Sequence, residues 1–125
     1  MGDNNDKSPD LRVRTKNFAL RIIQLYAVLP KTTEAQVIGK QLLRSGTSVG
    51  AHYREASRAR STAEFISKME VGLQELDETD YWLELLEEGG IISAERLTNL
   101  RGEVNELMAM MVASVRTAKK KQAEQ

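Results

Sequence analysis

Strong helix breakers fall at only three places in this chain: Pro9 near the start, Pro30 followed by Thr32 and Thr33, and Gly89-Gly90 late. Between those marks the apolar residues recur at helical spacing, and no alternating strand pattern competes. The first stretch, about residues 10–29, places Phe18, Ile22, Leu25 and Leu29 on one face, and Pro30, which lacks an N–H, closes it. The second, about 33–59, opens after Thr32 or Thr33, where Thr33 and Gln36 fit a capping box. No glycine or proline marks the next break. There Ser61-Thr-Ala-Glu64 ahead of Phe65-Ile66 gives a capping pattern, which starts a third helix over about 61–88. A fourth, about 93–118 and capped by Ser93, carries Leu97, Leu100, Val104, Leu107, Met111 and Val115 as one stripe. Four long helices with short connections predict an all-α, antiparallel up-down-up-down four-helix bundle. Residues 1–9 and the basic tail 119–125 are expected to be mobile segments outside it.

At 125 residues and 41% hydrophobic content the chain suffices for one domain with a real core. It has no cysteine, which removes disulfides, thiolate metal sites and cysteine nucleophiles together. The start, MGDNNDKSPD, is polar and acidic where a signal peptide is basic and then apolar, and no apolar run is long enough to span a bilayer. A cytoplasmic protein with no membrane partner is the expectation.

The formal charges cancel, 18 basic against 18 acidic, but they are not mixed. Residues 11–60 hold ten basic side chains and two acidic ones, a net of +8; residues 61–106 hold three against twelve, a net of −9; residues 107–125 return to +3. Such polarisation points to electrostatic partners, either between the halves of the chain or outside it.

The segment RSGTSVGAHYREA, Arg44 to Ala56, is rich in poor helix formers yet sits inside the second helix. Each interior glycine costs about 0.5–1 kcal/mol against alanine, so a close contact must offset it. On a helical wheel with Lys40 at zero, Ile38, Leu42, Ser45, Val49, Tyr53 and Ala56 fall between about 140° and 220°, the core face. Lys40, Arg44, Arg54 and Arg58 lie within about 40° of zero, a basic stripe opposite the core. Gly39, Gly46 and Gly50, with Ser57, cluster between about 240° and 280° and leave a groove without side chains. That groove lets another helix approach closely, whether a helix of the same chain or of a second subunit.

The third helix has two apolar bands. Phe65, Met69, Leu76, Leu83 and Leu86 form one; Val71, Tyr81, Trp82 and Leu85 form another, which exceeds what a single bundle seam uses and suggests a subunit contact. Beside it Glu70, Asp77, Glu84 and Glu88 make an acidic ridge, either solvated or receiving the arginine stripe of a neighbouring copy in a head-to-tail contact.

Catalytic patterns are missing. A di-iron bundle uses two Glu-x-x-His pairs, and this chain has a single histidine, His52. Glu75-x-x-Glu78 and Glu84-x-x-Glu87 read as surface charge, and His52, at the edge of the core face, as a hydrogen-bonded packing residue. No nucleophile stands with a base and an orienting acid, and no phosphate-binding glycine loop occurs. No catalytic residue, metal or cofactor is assigned.

The order RSGTSVGA, YREA, Ser61-x-x-Glu64-Phe65 and Glu75-Leu-Asp-Glu-Thr79, within residues 12–116, resembles the bacterial four-helix-bundle proteins related to the ribosomal RNA intervening-sequence protein. His52 departs from that pattern, standing where asparagine is expected. The resemblance implies a homopentameric ring of antiparallel bundles without enzymatic activity. More distantly, it implies a likeness to the accessory variability determinants of diversity-generating retroelements, which bind nucleic acid and a reverse transcriptase.

Two functions follow. In the first, an oligomeric bundle presents Arg12, Arg14, Lys16, Arg21, Lys40, Arg44, Arg54, Arg58 and Arg60 to the phosphates of structured RNA or DNA. In the second, those cations serve subunit contacts in a protein-interaction scaffold, with Gly39, Gly46, Gly50, Val71, Tyr81, Trp82 and Leu85 as packing positions. Carboxylates saturating Arg44, Arg54 and Arg58 favour the scaffold; an open basic surface favours nucleic acid.

Overall fold

The computed structural model describes residues 10–125, and the expected segment 1–9 lies outside them. Four α-helices account for the described secondary structure: α1 Leu11–Ala27, α2 Thr33–Ser57, α3 Thr62–Glu88 and α4 Ala94–Ala123. Each packs on its neighbour in sequence, and α1 also meets α4, more sparingly.

Helix ends follow their capping chemistry. Asp10 caps α1 by accepting from the Val13 N–H at 3.3 Å, and α1 ends at Ala27 rather than at about 29 because Val28 and Leu29 leave helical bonding ahead of Pro30. Thr32, not Thr33, caps α2, its hydroxyl accepting from Ala35 N. Gln36 is therefore not part of a capping box: its amide donates to the Pro30 carbonyl at 2.8 Å, and its oxygen accepts from the Tyr26 hydroxyl at 3.1 Å. The break without glycine or proline falls at Ser61, whose hydroxyl accepts from Glu64 N. The Glu64 carboxylate reaches back one residue further than in the usual box, to the Arg60 N–H at 2.9 Å. α3 closes in a Schellman turn, with Ile91 N bonded to Leu86 O and Gly90 N to Glu87 O, and Gly90 supplies the required positive φ of 72°. Ser93 stands at the N-cap of α4 without a side-chain hydrogen bond.

The core is continuous through all four helices. The six stripe residues of α4, Leu97, Leu100, Val104, Leu107, Met111 and Val115, are all buried, as are Phe18, Ile22 and Leu29 of the first segment, Leu42, Val49 and Ala56 of α2, and Met69, Leu76, Leu83 and Leu86 of α3. Phe65 departs from its expected core place and is only half-buried.

The glycine flank of α2 is covered by α1. A Cβ at Gly46 would stand 2.8 Å from Ile22 Cγ1, one at Gly50 3.1 Å from Thr15 Oγ1, and one at Gly39 2.6 Å from Leu29 Cδ1. The helix that occupies the groove belongs to the same chain, so these glycines are packing residues of the protomer. Gly72 does the same between α2 and α4, close to Met111 and His52.

Among the described residues, no helix is long and apolar enough to cross a membrane.

Candidate functional site

The nine cations singled out from the sequence divide into two groups. Arg14 and Arg44 are consumed within the chain. Arg14 Nη2 lies 2.7 Å from Glu103 and 2.8 Å from Glu106, tying α1 to α4, and these bonds hold its guanidinium well above its ordinary value. Arg44 joins α2 to α3 through Glu78 and, at 3.3 Å, Glu75; the Glu78 bond raises it further. Both guanidinia are therefore engaged by carboxylates of the same chain rather than unpaired on the basic surface. Their partners are remote in sequence, and both pairs lie at helix-helix seams.

Arg12, Lys16, Arg21, Lys40, Arg54, Arg58 and Arg60 have no carboxylate of a described residue within 4.0 Å. All but the half-buried Arg54 are exposed. Lys40 and Arg54 on α2 and Arg58 at its C-cap keep the stripe unpaired among the described residues, with its fourth member, Arg44, drawn onto α3. On α1, Arg12 and Lys16 share the outer side with the exposed Val13, Leu20 and Ile23.

α4 contributes cations that the reading of the sequence placed in a mobile tail. The helix runs through Lys119, Lys120 and Lys121 to Ala123 instead of ending at about residue 118. Lys119 pairs with Glu70 of α3 at 3.2 Å, which takes Glu70 out of the free acidic ridge. Lys121 lines one groove with Arg60, so the α2–α3 turn and the end of α4 meet. Arg116 and Lys120 are exposed on the same last turns. That continuation was visible in the good helix formers of Thr117 to Ala123, but only Ala118 there carries the core stripe onward.

The acidic half of the chain is largely structural. Glu75 and Glu78 hold Arg44. The Trp82 indole N–H donates to Glu78 at 3.1 Å and is the largest influence holding that carboxyl below the ordinary range, with Arg44 adding to it against the opposing effect of burial. Arg101 bridges Asp80 and Glu87 at 3.3 and 3.2 Å; burial alone would lower its pKa, and the two carboxylates outweigh it. Asp77 and Glu88 are exposed and Glu84 half-buried, none within an ion pair among the described residues. Of the second apolar band, Val71, Trp82 and Leu85 are half-buried and Tyr81 is exposed, its ring 5.1 Å from that of Trp82.

His52 is not hydrogen-bonded as expected. Its buried Nδ1 lacks a partner among the described residues and lies 3.6 Å from Glu55, while Nε2 is 3.9 Å from Glu75. No three His, Asp or Glu side chains of the described residues are grouped to hold a metal ion.

Comparison with known proteins agrees with the helical architecture. A crystal structure of a protein of unknown function from the S23 ribosomal protein family of Bacteroides thetaiotaomicron is similar to this chain, with a TM-score of 0.80 and 38% identity, covering 85% of this chain and 95% of that one. No curated protein matches the sequence. The model of the 23S rRNA-intervening sequence protein family matches residues 10–113, from the N-cap of α1 to the wall of the groove beside Arg60 and Lys121. Across nearly the whole described bundle, then, the chain belongs to the 23S rRNA-intervening sequence protein family.

Proposed function

We propose that the protein is a non-enzymatic, cytoplasmic helical-bundle protein that binds structured RNA or DNA through phosphate contacts. The observation that carries this reading is the set of seven cations on α1, α2 and the α2–α3 turn with no carboxylate partner among the described residues, extended by Arg116, Lys120 and Lys121 of α4. Acids are few among them: within residues 11–60 only Glu34 and Glu55 occur, and Glu55 is engaged by Lys68 at 3.2 Å. Phosphate binding of this kind needs no base contacts and weakens steeply with salt. The family's description, which concerns intervening sequences of 23S rRNA, supports RNA as the polyanion.

Fluorescence anisotropy with a structured RNA, at low and at moderate salt, tests the reading. Binding at low salt that falls steeply with salt, and a weaker salt slope for Arg54→Glu/Arg58→Glu, are expected; absence of binding at low salt refutes it.

The helices are read as antiparallel, up-down-up-down. Supporting pairs are Thr15 with Gly50 and Tyr26 with Gly39 between α1 and α2, Arg44 with Glu78 and Glu55 with Lys68 between α2 and α3, and Glu70 with Lys119 and Asp80 with Arg101 between α3 and α4.

A second reading, a scaffold that uses this face for subunit contacts in a pentameric ring, is favoured by the exposed apolar strip of α1: Val13, Leu20 and Ile23, at 45%, 48% and 45% exposure, share one helix face. Light scattering separates the two. If Arg54→Glu/Arg58→Glu changes the particle mass, the cations serve assembly; unchanged mass with lost RNA binding leaves them to phosphate.

A further inference from the structure

We infer that the groove between the α2–α3 turn and the end of α4 receives an unpaired nucleotide of RNA, its base on the apolar floor and its phosphates at Arg60 and Lys121. The inference rests on the phosphate-binding reading above and gives that surface a substrate class, single-stranded over duplex.

The groove exists because the helices differ in length. α4 has 30 residues and α1 has 17. At the start of α1 the Arg14 guanidinium touches Met110 Sδ at 3.3 Å, and α4 continues for more than three turns past that contact. The last turns of α4 therefore face the first turn of α3 across an open space of about 720 Å³, large enough for a nucleotide. Phe65, Met110 and Ala113 supply apolar surface there, and Ser114 and Thr117 bring hydroxyls to the wall.

Charge selects the occupant. Arg60 and Lys121 line the groove, and among the described residues no carboxylate does. The Glu64 carboxylate, four residues from Arg60, is held by the Arg60 backbone N–H rather than lining the groove. Arg58, Arg116 and Lys120 surround this end and are exposed. An apolar floor framed by cations fits a flat, apolar-faced group attached to a polyanion, which describes a nucleotide released from its stack. Bases inside a duplex keep their faces covered and cannot enter, whereas unpaired bases lie down on apolar and aromatic side chains. The ribose 2′-hydroxyl, both donor and acceptor, matches the hydroxyl-bearing wall better than deoxyribose does.

The test compares a short single-stranded RNA carrying one 2-aminopurine with an RNA duplex of equal length, on the full chain. Ala113 is exposed, so Ala113→Leu narrows the groove with bulk that offers no aromatic face and removes no core contact. Expected results are a change in 2-aminopurine fluorescence on binding, at least about fivefold weaker single-strand binding by Ala113→Leu, and unchanged duplex binding. Circular dichroism checks the variant's fold; Lys121→Glu, at an exposed position, should also weaken the single strand more than the duplex. Duplex binding with a single strand that ignores both variants overturns the groove and leaves the phosphate-binding reading standing. Equal affinity for single-stranded DNA of the same sequence overturns the assignment to RNA, and no binding of either strand form at low salt overturns both inferences.

Discussion

The hydroxyl of Ser45 on α2 lies 2.9 Å from that of Thr79 on α3, and both residues are fully buried. Thr79 also reaches the Glu75 carbonyl at 2.7 Å, so the two hydroxyls and a backbone oxygen form a short polar chain inside an apolar seam. This explains why a serine occupies the core face of α2: the polar pair fixes the register of two helices beside the Arg44–Glu78 bridge. Ser45→Ala should cost about 1 kcal/mol, because Thr79 keeps its carbonyl partner. In a double-mutant cycle with Thr79→Val, urea unfolding should give a coupling of about 0.5–1 kcal/mol. Strict additivity would show that the hydroxyls do not act as a pair.

Gly46 and Gly102 make opposite predictions for the same substitution. A Cβ at Gly46 meets Ile22 at 2.8 and 2.9 Å, and Ile22 is β-branched and buried, so it cannot swing away. Gly46→Ala should therefore destabilise by about 1–3 kcal/mol despite alanine's better helix propensity. Gly102, exposed within α4, has nothing within 4 Å of a Cβ. Gly102→Ala should stabilise by about 0.5–1 kcal/mol. Thermal unfolding of both variants measures the contrast, and equal shifts would remove the close α1–α2 approach as the reason for Gly46.

Much of the bundle was legible because apolar periodicity is a local signal: the α4 stripe from Leu97 to Val115 and the capping serine at Ser61 stand where the sequence puts them. The glycine groove was legible too, but not its occupant, since pattern shows that a helix approaches and not which one. Charge pairing is less readable still. Arg14 and Glu103 are 89 residues apart, and Arg44 and Glu78 are 34 apart, so two members of the apparent basic surface vanish into contacts that only the tertiary fold creates. The groove between Arg60 and Lys121 was hidden for a third reason. It arises from the unequal lengths of α1 and α4, and the end of α4 lacks the apolar stripe that would have marked it as helix.

Acid should loosen the α2–α3 seam first. Glu78 is held below its ordinary value of 4.5 by the Trp82 N–H and by Arg44, and Glu55 is lowered chiefly by its hydrogen bond from Lys68. With folded-state values depressed, the folded chain binds fewer protons than the unfolded one in this range. The stability these groups contribute is complete above about pH 4.5 and is lost as pH falls through their folded-state values. Glu78→Gln should cost about 0.5–1 kcal/mol at neutral pH and flatten the acid limb of the stability profile. An acid limb identical to that of the parent chain would remove Glu78 from its origin.

Arg14 carries more of the α1–α4 seam than any neighbouring side chain can replace. These helices approach each other less extensively than the pairs adjacent in sequence, and the Arg14 guanidinium spans Glu103, Glu106 and the Met110 sulfur across the gap. Its bidentate bond to Glu103, a carboxylate only 19% exposed, is the least solvent-screened ion pair to this arginine. Removing the arginine leaves that half-buried carboxylate unpaired, so Arg14→Ala should cost about 1–2 kcal/mol, while Arg12→Ala, two positions away and exposed, should stay within about 0.5 kcal/mol. The loss should be local before it is global. Amide hydrogen exchange in the first half of α1 should accelerate in Arg14→Ala, with α3 protected as in the parent chain, because α3 keeps its seams with α2 and α4. Uniform acceleration across all four helices would mean that α1 does not open on its own and that the Arg14 bridge is no more than surface charge.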